Sequence, residues 1–132
     1  MSVFKSAEEA IKYFEGDKYA VLSGMKLEDL KEDYARSSVV LTEDHKNANG
    51  GIMGGAIFTL ADLAFAALAN NIHKPTVAQQ VSINYLARPK GDKLSAEAEI
   101  IRNGKTTCVL QIRVKDDKGT QIALFTGTGY KL

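Results

Sequence analysis

The chain has 132 residues, 45% hydrophobic and 25% charged, with 17 Lys and Arg against 16 Asp and Glu for a formal net charge of +1. That length suits one domain with a real core and is too short for two. The near-neutral balance, with scattered Lys and Arg and no RRM, KH or zinc-finger signature, argues against nucleic acid or a membrane surface as partner. A lone cysteine, Cys108, rules out an internal disulfide and fits a reducing cytoplasm; with only two histidines beside it, no metal site is expected.

In chain order, Lys5, Glu8, Glu9 and Lys12 interrupt any apolar leader, so no signal peptide is expected. Ser6-Ala7-Glu8-Glu9 reads as a capping box opening a short amphipathic helix over about 6–15, stopped at Gly16. Residues 19–30 are ambiguous at their start: Tyr19-Ala20-Val21-Leu22 reads as extended or as more helix. Two strands follow, Met25 through Leu30 and Tyr34 through Thr42, around the charged Lys31-Glu32-Asp33. A loop over Glu43–Met53 leads to a helix over about 54–70, apolar nearly all round and hence buried. It is slightly short for a membrane span and carries Asp62 near its middle, which favours a globular core over a bilayer.

Beyond Pro75 the pattern is that of strands. Thr76–Leu86 precedes the turn Arg88-Pro89-Lys90-Gly91-Asp92, and Lys93–Arg102 alternates with Leu94, Ala96, Ala98 and Ile100 on one face. Asn103-Gly104 predicts a two-residue hairpin turn with positive φ at both positions. Lys105–Lys115 alternates again, Asp116-Asp117-Lys118-Gly119 turns, and Thr120–Leu132 closes the chain. The expected class is α+β, an antiparallel sheet wrapped around one long central helix whose many alanines allow close approach.

Asp62 is the only charged residue between Lys46 and Lys74. A buried ionised carboxylate without partners is costly, so it must be paired, protonated or working. Upstream, Asn47-Ala48-Asn49-Gly50-Gly51-Ile52-Met53-Gly54-Gly55 is a glycine-rich entry to the same helix, where backbone amides and the dipole favour negative charge. Plainer readings stand beside these. Asp62 could accept backbone amides or pair with a basic residue across an interface, Asn47 and Gly50 could shape a turn, and Gly54-Gly55 could simply allow a tight helix entry. Asn70 reads as a C-terminal cap, and His45 and His73 as loop residues.

The spacing His45-x-Asn47-x-x-Gly50-x-x-Met53-Gly54-Gly55, then Leu60-Ala61-Asp62-x-Ala64 and Asn70, resembles the signature of PaaI-like hotdog thioesterases over roughly residues 20–132. The departure is Met53, where the family usually has histidine; a thioether is a weak acceptor and no donor. The resemblance implies a hotdog fold and hydrolysis of an acyl-CoA thioester without a cofactor. In that reading Asp62 is general base or nucleophile, Asn47 positions water, and Gly54 N–H is the oxyanion donor with help from Gly55. Met53 and His45 border the site, Gln80 on the third strand is a weak candidate contact, and Arg88 and Lys90 are candidates for the CoA phosphates, though each could be an ordinary solvated or strand residue. The resemblance further implies a homodimer with sites at its interface, dimers pairing into a homotetramer. The alternative is a non-catalytic acyl-CoA-binding hotdog protein, favoured by Met53.

Overall fold

In the computed structural model, which describes residues 2–132, the helices are α1 (Ala7–Phe14), α2 (Lys18–Leu22) and α3 (Gly54–Ile72), with a 3-10 turn at Glu43–His45. The strands are β1 (Met25–Lys31), β2 (Tyr34–Val40), β3 (Thr76–Tyr85), β4 (Lys93–Asn103), β5 (Thr107–Asp116) and β6 (Gln121–Lys131). They form one sheet in the order β1-β2-β4-β5-β6-β3, antiparallel at every pairing. The sheet packs around α3, which meets all six strands. This is the hotdog arrangement that the resemblance implies. By length and hydropathy α3 could cross a membrane, but here it is the core helix.

Alternation makes this core. Leu94, Ala96 and Ala98 of β4 and Cys108, Leu110, Ile112 and Val114 of β5 face inward against Leu60, Ala61, Ala64, Phe65 and Leu68 of α3. Alanines at Ala61, Ala64, Ala67 and Ala69 let the backbones approach, and Ser37 on β2 donates to the carbonyl of Leu60 at 2.8 Å. Gly127 of β6 lies under Phe65, so closely that a Cβ there would stand 2.8 Å from the ring. Gly127→Ala is therefore expected to cost about 1–3 kcal/mol through overpacking, read as a lower melting temperature.

Several local expectations change. Tyr19–Leu22, ambiguous in the sequence, is helical within α2, and the central helix runs two residues past Asn70 to Ile72, with His73 as its cap residue. Asn70 is thus no C-cap. Its Oδ1 accepts from Thr76 N (3.0 Å) while Nδ2 donates to the carbonyls of Ala66 and Thr76, tying the helix end to β3. Asn71 is buried and its Oδ1 accepts from Phe4 N, anchoring the N-terminal segment. The Asn103-Gly104 turn is not a two-residue one either. Neither residue has positive φ, Asn103 pairs with Cys108, and Gly104 N donates to Thr107 O (2.8 Å). A bulge between Ile100 and Arg102 moves the register, and Asn103 Oδ1 accepts from Lys131 Nζ.

One buried acid orders the turns near the loop end of α3. The carboxylate of Asp116 accepts from the backbone N–H of Lys90, Gly91, Lys118 and Thr120, joining the β3–β4 and β5–β6 connections. Burial opposes its ionisation, but these four donors outweigh that and hold its carboxyl well below the usual range.

Candidate functional site

The segment before α3 is built by short-range hydrogen bonds. Thr42 caps the 3-10 turn, and His45 is buried with both ring nitrogens engaged: Nδ1 accepts from Thr42 N (3.0 Å) and Nε2 is 2.7 Å from the carbonyl of Ser23. That pattern fixes the tautomer with the proton on Nε2. Asn47 closes the next turn, its Oδ1 accepting from Asn49 N (2.9 Å) and Gly51 N (3.1 Å) while its own N–H donates to Gly51 O (2.7 Å). Gly50 takes φ +81°, a conformation that favours glycine. Asn47 Nδ2 makes no hydrogen bond among the described residues, so this group alone of its side chain is free to donate outward.

Met53 N donates to His45 O (2.8 Å), and α3 begins at the next residue. The amides of Gly54 and Gly55 are the first two of the helix and have no intrahelical acceptor, so they can donate to an anion at the dipole's positive end. Tyr85, at the end of β3, donates its hydroxyl to Gly54 O at 3.1 Å, and a Cβ on Gly54 would lie 3.2 Å from its ring. Asn47, Gly54, Tyr85 and Arg88 line one cavity of about 350 Å³. It adjoins a second, of about 370 Å³, through Gly51, Ile52, Arg88 and Pro89, and this one also reaches Lys46.

Asp62 is half-buried on another face of α3. It accepts no hydrogen bond and forms no ion pair among the described residues, so the backbone-amide reading of it is not realised within the chain. Burial raises its pKa first, and the nearby charge of Asp17 raises it further. Its cavity, about 300 Å³, is lined by Asp17, Tyr19, Thr59 and Leu63 among others. Tyr19 and Thr59 also line a neighbouring space of about 430 Å³, with Leu22, His45, Met53 and Gly55. Met53 is half exposed there and gives α3 no side-chain cap.

The structure thus sorts the candidates into groups. Asn47, Gly54 and Arg88 share one cavity; His45, Met53 and Gly55 share another; Asp62 stands in a third. Gly54 and Asp62 are eight residues apart on one helix, so their backbones are separated by about 12 Å along its axis. A thioester carbonyl within about 3 Å of both groups of one chain is impossible. Gln80 is exposed on β3 just after a bulge in its pairing with β6, and Lys90 lies in the β3–β4 connection with its N–H on Asp116. Neither is among the residues lining these cavities.

Two residues beside the site carry no sequence signal for it. Tyr85 reads as one more strand aromatic, and Asp17 as one more acid after a glycine. Only the packing of β3 on the start of α3, and of α2 on its middle, brings them there.

Known proteins similar to this chain in sequence and fold give a consistent picture. The family description "Thioesterase superfamily" matches residues 49–123. A protein of Archaeoglobus fulgidus is 38% identical over 120 residues, covering 90% of this chain and 78% of its own length. The acyl-coenzyme A thioesterase PaaI of Escherichia coli is 31% identical, covering 97% of this chain and 92% of that protein. The solved structure of the E. coli PaaI protein from the phenylacetic acid degradation operon superposes with a TM-score of 0.88 at 28% identity, covering 95% of this chain and 91% of that one.

Proposed function

The chain belongs to the thioesterase superfamily, and from that premise we propose that it is an acyl-CoA thioesterase whose sites form between two copies. The observation that carries this reading is the separation of an unpartnered half-buried carboxylate, Asp62, from the free amides of Gly54 and Gly55 on the same helix. Each half supplies what the other lacks. Asp62 can activate water or attack directly; Gly54 N–H can hold the oxyanion; Asn47 Nδ2 can hold the water or orient the carboxylate.

The means of bringing them together is the free edge of β3. This ten-residue strand pairs with β6 on one side only, and most of its residues are exposed. An open strand edge of this length is a template for pairing, and a two-fold dimer closes it with a second β3. Asp62 of one copy then faces the loop of Asn47 and Gly54 of the other.

In that site the acyl group occupies the space beside Asp62, toward Tyr19, Thr59, Leu22 and Met53. CoA leaves along Tyr85 and Arg88, with Lys46 and Lys90 further out as cations for its phosphates. No resident cofactor takes part. The test is CoA release from an acyl-CoA panel by the wild-type protein, with phenylacetyl and C4–C12 chains as acyl groups.

Met53 favours a second reading, acyl-CoA binding without turnover, because a thioether cannot donate the hydrogen bond that a histidine offers. Turnover by the wild type distinguishes the two, and Met53→His then tests the thioether. For a working thioesterase, turnover is kept or rises by up to about 100-fold, the range for a positioned donor; a large loss would mean a site rebuilt around methionine.

A further inference from the structure

Asp62 shares its cavity with a second carboxylate. Asp17 occupies the position before α2, where an aspartate ordinarily accepts from the first helical amides, yet here its side chain makes no such bond. Its main chain is used instead, the carbonyl accepting from Val21 N at 3.0 Å and the N–H donating to Phe14 O at 3.1 Å. The carboxylate borders the space lined by Lys18, Tyr19, Thr59, Asp62 and Leu63. Thr59 is already committed, its hydroxyl donating to Gly55 O at 2.8 Å. Lys18 is the one cation among the lining residues, and it forms an ion pair with neither acid.

No other charge on α3 faces Asp62, since none occurs between Lys46 and Lys74. The inward faces of β1, β2, β3 and β4 bring apolar residues together with Ser37, bound to Leu60 O, and Thr76, bound to His73 O. On β5, Cys108 is fully buried with its thiol pushed up by burial, and Asp116 is held by backbone amides at the sheet end. On β6, Lys131 is engaged with Asn103 and Gly104. Within one copy, Asp17 and Lys18 are thus the charged side chains lining the cavity of Asp62, and the nearby carboxylate of Asp17 adds to the effect of burial in raising the pKa of Asp62.

Resting on the thioesterase reading above, we propose that Asp17, which lines the same cavity as Asp62, is a positioning residue for Asp62 as that carboxylate takes the proton from water. In the reaction the water oxygen bonds to the thioester carbonyl carbon while its proton passes to the Asp62 carboxylate. The C–S bond then breaks, the thiolate of CoA takes that proton, and the acid is released. Asp62 loses its charge as the oxyanion gains one, and the fixed charge of Asp17 drives that transfer away from itself.

The test is a carboxyl ¹³C NMR titration of Asp62, together with the pH profile of kcat/KM on the best acyl-CoA of the panel, in wild type, Asp17→Asn, Asp17→Ser and Asp17→Glu. In Asp17→Asn the titration of Asp62 and the acid limb of the profile both move to lower pH, while the plateau kcat falls by about ten-fold or less, short of the ~100-fold or greater loss of the base itself. The two profiles therefore cross. Asp17→Ser, which keeps a capping side chain without the charge, behaves as Asp17→Asn does, and Asp17→Glu restores part of the shift. An Asp62 titration unmoved in both neutral variants, or a wild-type profile restored by Asp17→Ser, overturns the proposal. Should the wild type turn over no acyl-CoA, the thioesterase reading fails and the role of Asp17 in it falls with it; the NMR titration then reports the coupling of the two acids alone.

Discussion

Asp62→Asn is expected to lower kcat by roughly 100-fold or more while leaving fold and assembly intact, because removing a general base forfeits about 10²–10⁴ in rate. The substitution keeps shape and volume but cannot accept the proton from water. Stability should move the opposite way. The folded-state pKa of Asp62 is raised by burial and then by Asp17, so the protein gains a proton on folding in the window just above the ordinary carboxylate value. Its contribution is therefore favourable at low pH and is lost as pH rises through the raised value. Above that window the wild type carries a desolvated charge that the asparagine variant lacks. Thermal melts at neutral pH should show Asp62→Asn at least as stable as wild type, and melts at pH 3 should bring the two together. A variant that unfolds at neutral pH would instead assign Asp62 a structural role.

The second large effect is expected at Gly54. Gly54→Pro removes the amide proposed as the main oxyanion donor, and losing such a donor costs about 10²–10³ in kcat. The substitution suits the backbone. The first position of a helix tolerates proline because its N–H has no intrahelical acceptor. The preceding Met53, at φ −60° and ψ 131°, already has the conformation proline requires of its neighbour. Tyr85, half exposed, has to move by a few tenths of an ångström.

This variant also tests the shared site. The Asp62→Asn and Gly54→Pro proteins, each expected to be inactive, are unfolded together, refolded as a mixture and assayed for CoA release. In a mixed dimer one site combines both lesions and the other combines the wild-type Asp62 of one copy with the wild-type Gly54 of its partner. Random reassortment should recover about a quarter of wild-type activity for a two-fold dimer. No recovery from a mixture shown to contain mixed dimers would place each site within one copy and remove the basis for the interface reading.

The residues that made the site legible are those whose role is local. Asn47, Gly50 and Gly54-Gly55 shape a turn and a helix start through bonds spanning four residues or fewer, and such bonds are written in the sequence. The anomaly of Asp62 was visible without any fold, as one carboxylate in an apolar run. Asn70 misled because a cap and a bridge to a neighbouring strand use the same amide. The choice depends on where Thr76 lies, and that is set by how β3 returns along the helix. Asn103-Gly104 misled for a similar reason. Its turn preference gave way to a register fixed by inward residues on two long strands and by the bulge at their end.

By itself, the sequence determined the elements and the chemistry: alternation made the strands, an apolar stretch made the buried helix, and residue types named an acid, a donor loop and basic candidates for the CoA end. Only the tertiary structure decided what stands beside what. It placed Nε2 of His45 on the carbonyl of Ser23, Tyr85 on Gly54 and Asp17 beside Asp62. The physical reason is range. Turns, caps and periodicities act over a few residues, whereas these contacts join segments tens of residues apart, and their geometry is fixed only when the sheet closes around α3 and leaves the edge of β3 open.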